Sequence, residues 1–216
     1  MFLATEGLNV MDALTAASGI NFSISAGNLT VRLAASTEEI TAAQSLRYPV
    51  FYEEMNATPS LGMQFLLSDF DSFDEICDHL LVICEDRADL PCGVIGTYRT
   101  LRRRVAMQSG GFYLSDEFDL IPLLDLEGEI MALGRSCVDP EHRNRPTMRL
   151  LWQAIAPYVQ RYKIDVLLGW ASIIRTEIEK IKLPPSYVYH YYLVPEKLRP
   201  QAIDCRSAGK KITAFD

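Results

Sequence analysis

"EIMALGRSCVDPEHRNRPTMRLLW", residues 129–152, decides the fold. Its first ten residues are an apolar run with Arg135 set into it, which predicts a buried strand. A polar loop follows, and then Leu151, Ala154, Ile155, Tyr158 and Val159 recur at helical spacing through "TMRLLWQAIAPYVQRY", which predicts an amphipathic helix. Strand, loop and helix in this order present a helix N-terminus to an anion, the usual seat of a phosphate. Such loops generally carry glycine so that the backbone can approach the ligand. This one carries Arg143 and Arg145 and no glycine.

Outward from that stretch, "LTVRLAA" (29–35) alternates like a strand, and Ser36 followed by Glu39 signals the start of a helix over "TEEITAAQSL". Pro49 predicts an interruption, with "VFYEEM" resuming as a second helical piece after a bend. "SDFDSFDEICD" (68–78) reads as an acidic turn leading into "HLLVICE" (79–85), a central strand that pairs antiparallel with "PCGVIGTYRTLRRR" (91–104). Downstream, "DVLLGWAS" (165–172) reads as a strand and "IIRTEIEKIKL" (173–183) as a helix stopped by Pro184 and Pro185. The expected fold is α/β (α+β), three layers with a mixed, mostly antiparallel central sheet flanked by helices. Residues 1–28 are weakly patterned and are expected to form an arm ahead of one domain spanning 29–216. No final strand pair is recognisable in the tail, so the C-terminal part of that domain reads as incomplete or divergent.

About half of the 216 residues are apolar, enough for a substantial core, and 21 Lys and Arg against 28 Asp and Glu give a net charge of −7. That balance argues against non-specific nucleic-acid binding. Five cysteines without a C-x-x-C pair suit free thiols, and the three scattered histidines suggest no metal cluster. The N-terminal stretch lacks a basic segment before its apolar residues, and no apolar run approaches the roughly 20 residues of a membrane span. A cytoplasmic protein is expected.

Charged residues inside apolar elements are informative because burying charge is costly unless it is paired. Arg47 lies within "SLRYPVF", Arg99 ends one strand and Arg135 interrupts another, while Asp69, Asp71, Asp74 and Asp78 crowd the acidic turn. An arginine–aspartate network at the mouth of the sheet would satisfy both sets, whether for structure or for catalysis. The run Arg102, Arg103, Arg104 suits a solvated loop, anionic head groups or an acidic partner. Tyr187, Tyr189, Tyr191 and Tyr192 suit either an acyl pocket or packing under a loop.

Taken in order, "AAQSLRYPVFYEEM", "DSFDEICDHLLV", "GTYRTL", "GGFYLSDEFDL" and "LGRSCVDPEHR" resemble the ornithine-lipid N-acyltransferases, also called hemolysin-like, of the GNAT superfamily. More distantly they resemble the acyl-homoserine-lactone synthases and the long-chain N-acyl amino acid synthases. The resemblance spans roughly residues 30–200. It implies transfer of a 3-hydroxy fatty acyl group from acyl carrier protein to the α-amino group of an amino acid, here ornithine, in lyso-ornithine lipid synthesis. A different acceptor such as tyrosine is the first alternative. The donor would be a substrate carried on phosphopantetheine, with no resident cofactor and no metal.

Carried over by motif, the resemblance implies substrate-binding roles for Arg47, Phe51, Asp71, Asp74, Arg99 and Arg135, with Arg135 and Asp74 catalytic. A single-phosphate tether would explain a glycine-free loop, and Arg102, Arg103, Arg104, Arg143, Arg145 and Arg149 would dock an acidic carrier protein. Peripheral contact with the inner membrane fits the same picture.

One departure stands out. Family members usually carry a glutamate where this chain has Ala132, so general-base help would have to come from Glu129 or an acidic-turn aspartate. Otherwise the protein would be a weakened, carrier-binding relative. Positions 132 and 135 face opposite ways on a regular strand, so pairing them requires a bulge. Backbone N–H groups around 133–137 would then hold the oxyanion.

Overall fold

The computed structural model of the protein describes residues 22–169 and 183–203. Its centre is a six-stranded sheet in the order β1-β2-β3-β4-β6-β7, built from β1 (Ser23–Ala26), β2 (Leu29–Leu33), β3 (Asp78–Cys84), β4 (Val94–Arg102), β6 (Glu129–Val138) and β7 (Ile164–Gly169). All neighbouring pairs are antiparallel except β6 and β7, which are parallel. The long helix α5 (Arg145–Tyr162) makes the crossover that a parallel pair requires. Two residues of β5 (Phe118–Asp119) and two of β8 (Gln201–Ala202) form a separate small pair.

The two faces of the sheet bury different layers. On one face α5 packs Leu150, Leu151, Ala154, Ile155 and Tyr158 against Val31, Leu80, Val82, Ile95, Met131 and Leu133. Each such side chain contributes about 1.5–3 kcal/mol of burial, so this layer is the main source of stability. On the other face α1 (Thr37–Tyr48), followed in the chain by the short helix α2 (Leu61–Leu66), covers Leu81, Val94 and Cys137. Beside it, α3 (Arg103–Gln108) and the one-turn helix α4 (Ile121–Leu124) enclose Leu101, Ile130 and Ala132. The expected three-layer α/β fold is present.

Local differences from the sequence reading have identifiable causes. Residues 23–26, assigned to the arm, form an edge strand, because Gly27 takes a positive φ of 64° and turns the chain back onto β2. At Pro49 the regular helix gives way to the second helical piece, as expected, but that piece is a wide helical turn over Pro49–Glu54, in which Met55 N donates to Val50 O five residues back. Ser36 caps α1 as expected, but Glu39 turns outward to Arg32 and the Ala35 N–H. Pro184 and Pro185 lie in the first turn of a helix, α6 (Leu183–Tyr192), where a missing N–H costs nothing. The helix expected over 173–183, except for its last residue, and the end of the strand expected over 165–172 lie outside the described residues, as do 1–21 of the arm and 204–216 of the tail.

The bulge required by sequence is present. Arg99 pairs with Gly134 and Thr97 with Cys137, so Arg135 and Ser136 together oppose Tyr98. Arg135 takes φ +50°, a conformation unfavourable for a long side chain by roughly 1–3 kcal/mol. Parity inverts across it. Met131 and Leu133 face α5 before the bulge, and Val138 does so after it. Ala132 and Arg135 therefore share the other face of the sheet.

Candidate active site

Three elements converge on that face: the end of α1, the acidic turn, and the facing halves of β4 and β6. The turn is self-supporting. Asp71 caps the short 3-10 helix Ser72–Glu75 by accepting from Phe73 N at 2.9 Å, and Asp74 Oδ2 accepts from Asp71 N at 3.1 Å. This reciprocal box aims both carboxylates inward before any arginine arrives.

Arg47 and Arg99 fill the space they leave. Arg47 has no solvent exposure; its Nη2 donates to both oxygens of Asp74 at 2.9 and 3.0 Å and to Asp69 O at 2.6 Å. Its Nε lies 2.7 Å from Asp69 Oδ2 as an ion pair without hydrogen-bond alignment. Arg99 is forked onto Asp71 at 2.6 and 3.0 Å and reaches Asp74 Oδ1 at 2.9 Å. Gln44 and Tyr52 complete the shell, donating to Asp74 Oδ2 at 3.1 Å and Asp69 Oδ1 at 2.7 Å. His79, on β3, lies with Nε2 3.0 Å from Asp74 O.

Electrostatics follow from this packing. Burial works to raise Asp71 and Asp74, but the Arg99 pairing and the Arg47 and Arg99 charges outweigh it and hold both below the ordinary carboxylate range. Burial pushes His79 down, so the ring is neutral at pH 7. Burial and the bond to Asp69 push Tyr52 up to about 12. Burial likewise lifts the Cys137 thiol to about 12, which removes it as a nucleophile.

Arg135 differs from the other two arginines. Its side chain keeps 35% exposure, its contacts to Asp69 and Asp71 are loose at 3.5 and 3.4 Å, and its guanidinium stands 5.7 Å from the Phe51 ring centroid. Arg47 and Arg99 are committed inside the network; Arg135 can exchange its partners for an incoming carboxylate. It also sits on the bulge of β6, beyond Leu133, the last residue of β6 paired with the described part of β7. A bulge re-aims side chains and takes a backbone group out of the ladder, a place where an oxyanion can be held.

Six sequence candidates therefore meet: Arg47, Phe51, Asp71, Asp74, Arg99 and Arg135. Glu129 does not join them. It starts β6, six residues from Arg135 and about 20 Å away at strand rise, and its carboxylate accepts from Arg104 N and Ile130 N. Ala132 is fully buried in the apolar layer with Leu101, Phe112 and Leu114.

The basic residues do not form one surface either. Arg102 pairs with Met131 at one end of β6, whereas Arg143, Arg145 and Arg149 follow its other end, about 20 Å distant. Arg102 lies 3.9 Å over the Tyr162 ring and 3.5 Å from Asp78, and Arg103 donates to Leu124 O and Leu126 O. Arg143 is forked onto Glu54 at 2.5 Å, and Arg104, Arg145 and Arg149 lie on the surface as it does.

Tyr52, Gln44 and His79 belong to the network without having been assigned to it. No local signal marks them, because the partner of each lies far away in sequence or across a turn. Tyr113 is a further unassigned neighbour. Its ring lies 5.5 Å from the Arg99 guanidinium, and its hydroxyl occupies the place a Cβ on Gly134 would need.

Comparison with known proteins finds relatives of this chain. The sequence profile of the acetyltransferase (GNAT) domain matches residues 46–153. The L-ornithine N(alpha)-acyltransferase of Rhodobacter capsulatus is 39% identical over 173 residues, covering 80% of this chain and 67% of that protein. The protein of the same name from Rhizobium meliloti is 44% identical over 168 residues, covering 76% and 56%. The chain thus spans between about half and two thirds of the length of these relatives. Among solved structures, the AHL synthase LasI matches with a TM-score of 0.47 at 16% identity, over 73% of this chain and 78% of that one.

Proposed function

Because this chain belongs to the acetyltransferase (GNAT) domain family, alongside relatives named L-ornithine N(alpha)-acyltransferases, we propose that it is an N-acyltransferase that acylates the α-amino group of ornithine. The donor in this reading is a 3-hydroxy fatty acyl thioester on the phosphopantetheine of acyl carrier protein. The observation that carries it is Arg135, about one-third exposed on the β6 bulge and only loosely paired with Asp69 and Asp71. The guanidinium holds the acceptor's carboxylate, and Asp71 accepts from its ammonium group. The thioester lies along 134–138, with its carbonyl oxygen on backbone N–H groups at the bulge.

The neutral amine attacks the thioester carbon. The C–N bond forms, the C–S bond breaks, the thiol leaves carrying a proton, and the amide departs as the N-acyl amino acid. With Ala132 in place of a glutamate, the first proton passes from the ammonium to solvent.

The choice of donor is supported by the start of α5. Asn144 already accepts from Thr147 N and Thr147 Oγ1 at 3.0 Å, and Pro146 has no N–H. That first turn has little left for a diphosphate, whereas a single phosphate beside exposed Arg145 suits it. No helix among the described residues is long and apolar enough to cross a membrane. Contact with a bilayer, in this reading, is peripheral.

Incubation with acyl carrier protein loaded with a 3-hydroxyacyl chain and a panel of amino acids, read by mass spectrometry, tests the proposal. Nα-acylornithine is the expected product. Acylation of another amino acid only, or faster turnover of acyl-CoA than of the loaded carrier, refutes it. Ala132 favours a second reading, a carrier-binding protein without turnover; carrier binding with no product at all would establish that one instead.

A further inference from the structure

A cavity of about 470 Å³ opens between α1 and the acidic turn. Asp71 forms part of its wall, and Asp71 is also the residue 3.4 Å from Arg135, so the cavity begins beside the arginine assigned to the acceptor's carboxylate. Leu66 and Phe70 supply an apolar stretch of lining. Thr41 and Ser45 supply hydroxyls from α1, and both are oriented. Thr41 Oγ1 donates to Thr37 O at 2.9 Å and Ser45 Oγ to Thr41 O at 3.0 Å. Their protons are used within the helix, so they turn only lone pairs toward the cavity.

Glu75 completes the lining. The neighbouring Asp71 and Asp74 are neutralised by Arg99 and Arg47, while Glu75 is exposed and no basic side chain among the described residues pairs with it. A wall of acceptors with one uncompensated negative charge, next to an apolar strip, matches a ligand that is donor-rich, cationic and carried on a short aliphatic stem.

We infer that this cavity is the acceptor side-chain subsite, and that Glu75 selects a terminal primary ammonium while Leu66 and Phe70 pack its methylenes. The inference rests on the acyltransferase reading above and extends it to the residue that distinguishes a diamino acid from a neutral one. Three ammonium hydrogens meet the carboxylate and the two hydroxyl lone pairs, and no basic side chain is among the lining residues to repel it.

The test compares ornithine with norvaline, which has the same carbon chain and no ammonium, using the full chain and loaded acyl carrier protein. Glu75→Gln is expected to lower kcat/KM for ornithine about 10-fold, mostly through KM, and to leave norvaline unchanged. Thr41→Lys, which places a cation in the cavity, is expected to discriminate in the same direction. If the native protein acylates ornithine but both variants keep its preference within about twofold, the subsite is wrong and the acyltransferase reading stands. If the native protein acylates no cationic amino acid, both fall.

Discussion

Two arginines of the site, Arg47 and Arg135, are predicted to separate when each is replaced by methionine. Arg47 is fully buried against Asp69 and Asp74, whose side chains are 1% and 5% exposed. Arg47→Met keeps the volume but strands these carboxylates, and breaking a buried pair from one side costs about 3–5 kcal/mol. For a chain of this size each kcal/mol is worth roughly 2–4 °C, so the midpoint of unfolding should fall by on the order of 10 °C. Arg135→Met removes contacts of 3.4 and 3.5 Å from a third-exposed side chain, and the same reasoning allows at most about 1 kcal/mol. Its effect belongs in catalysis, where loss of the acceptor's anchor should lower kcat/KM by about 100-fold. Thermal and urea unfolding, with initial rates of acyl transfer, separate the two. The gap between native protein and Arg47→Met should also narrow as pH falls. Asp74 is held below the ordinary range partly by the Arg47 charge, so that part of its contribution is complete above the unfolded carboxylate value of 3.8 and is lost as pH drops through the lower folded one. Equal destabilisation by both substitutions would refute this division into a structural and an exchangeable arginine.

His79 predicts a second pH limb of the same sign. Burial lowers it from 6.5, so below that pH the unfolded chain takes up a proton the folded one refuses, and urea stability should decline; His79→Gln should flatten the decline. Gly134→Ala should destabilise the protein and impair activity, because the new methyl meets the Tyr113 hydroxyl and ring, and Tyr113→Phe in the same chain should restore stability only in part, since the ring carbon Cζ still lies 2.9 Å from the methyl. Tyr113→Phe alone should cost little, since that hydroxyl is buried without a partner. Charge reversal at Arg145 should raise KM for the carrier protein several-fold. Arg102→Glu should instead lower the unfolding midpoint through the lost Tyr162 and Asp78 contacts, with KM unmoved.

Much of the architecture was legible because it is written in local periodicity. The β6–α5 stretch is an apolar run followed by a 3.6-residue stripe, and nothing long-range is needed to read either. Even the bulge could be anticipated, since residues 132 and 135 cannot share a face of a regular strand. The conjunction of Arg47, Asp71, Asp74, Arg99 and Arg135 was foreshadowed by charges placed inside apolar elements.

Tertiary structure alone decided what those charges do. Burial separates Arg47 and Arg99, saturated by aspartates from a turn more than 20 residues away, from Arg135, which strained backbone geometry holds one-third in solvent. Distance along a strand removed Glu129 from the site and split the basic residues between two ends of the sheet, a separation invisible in a list of arginines. The acceptor-lined cavity beside Asp71 arises where α1 and the acidic turn leave a gap, and a gap has no residue to announce it in sequence. Local pattern determines which elements form; the sharing of solvent, charge and space among elements distant in the chain determines which residues remain free to act.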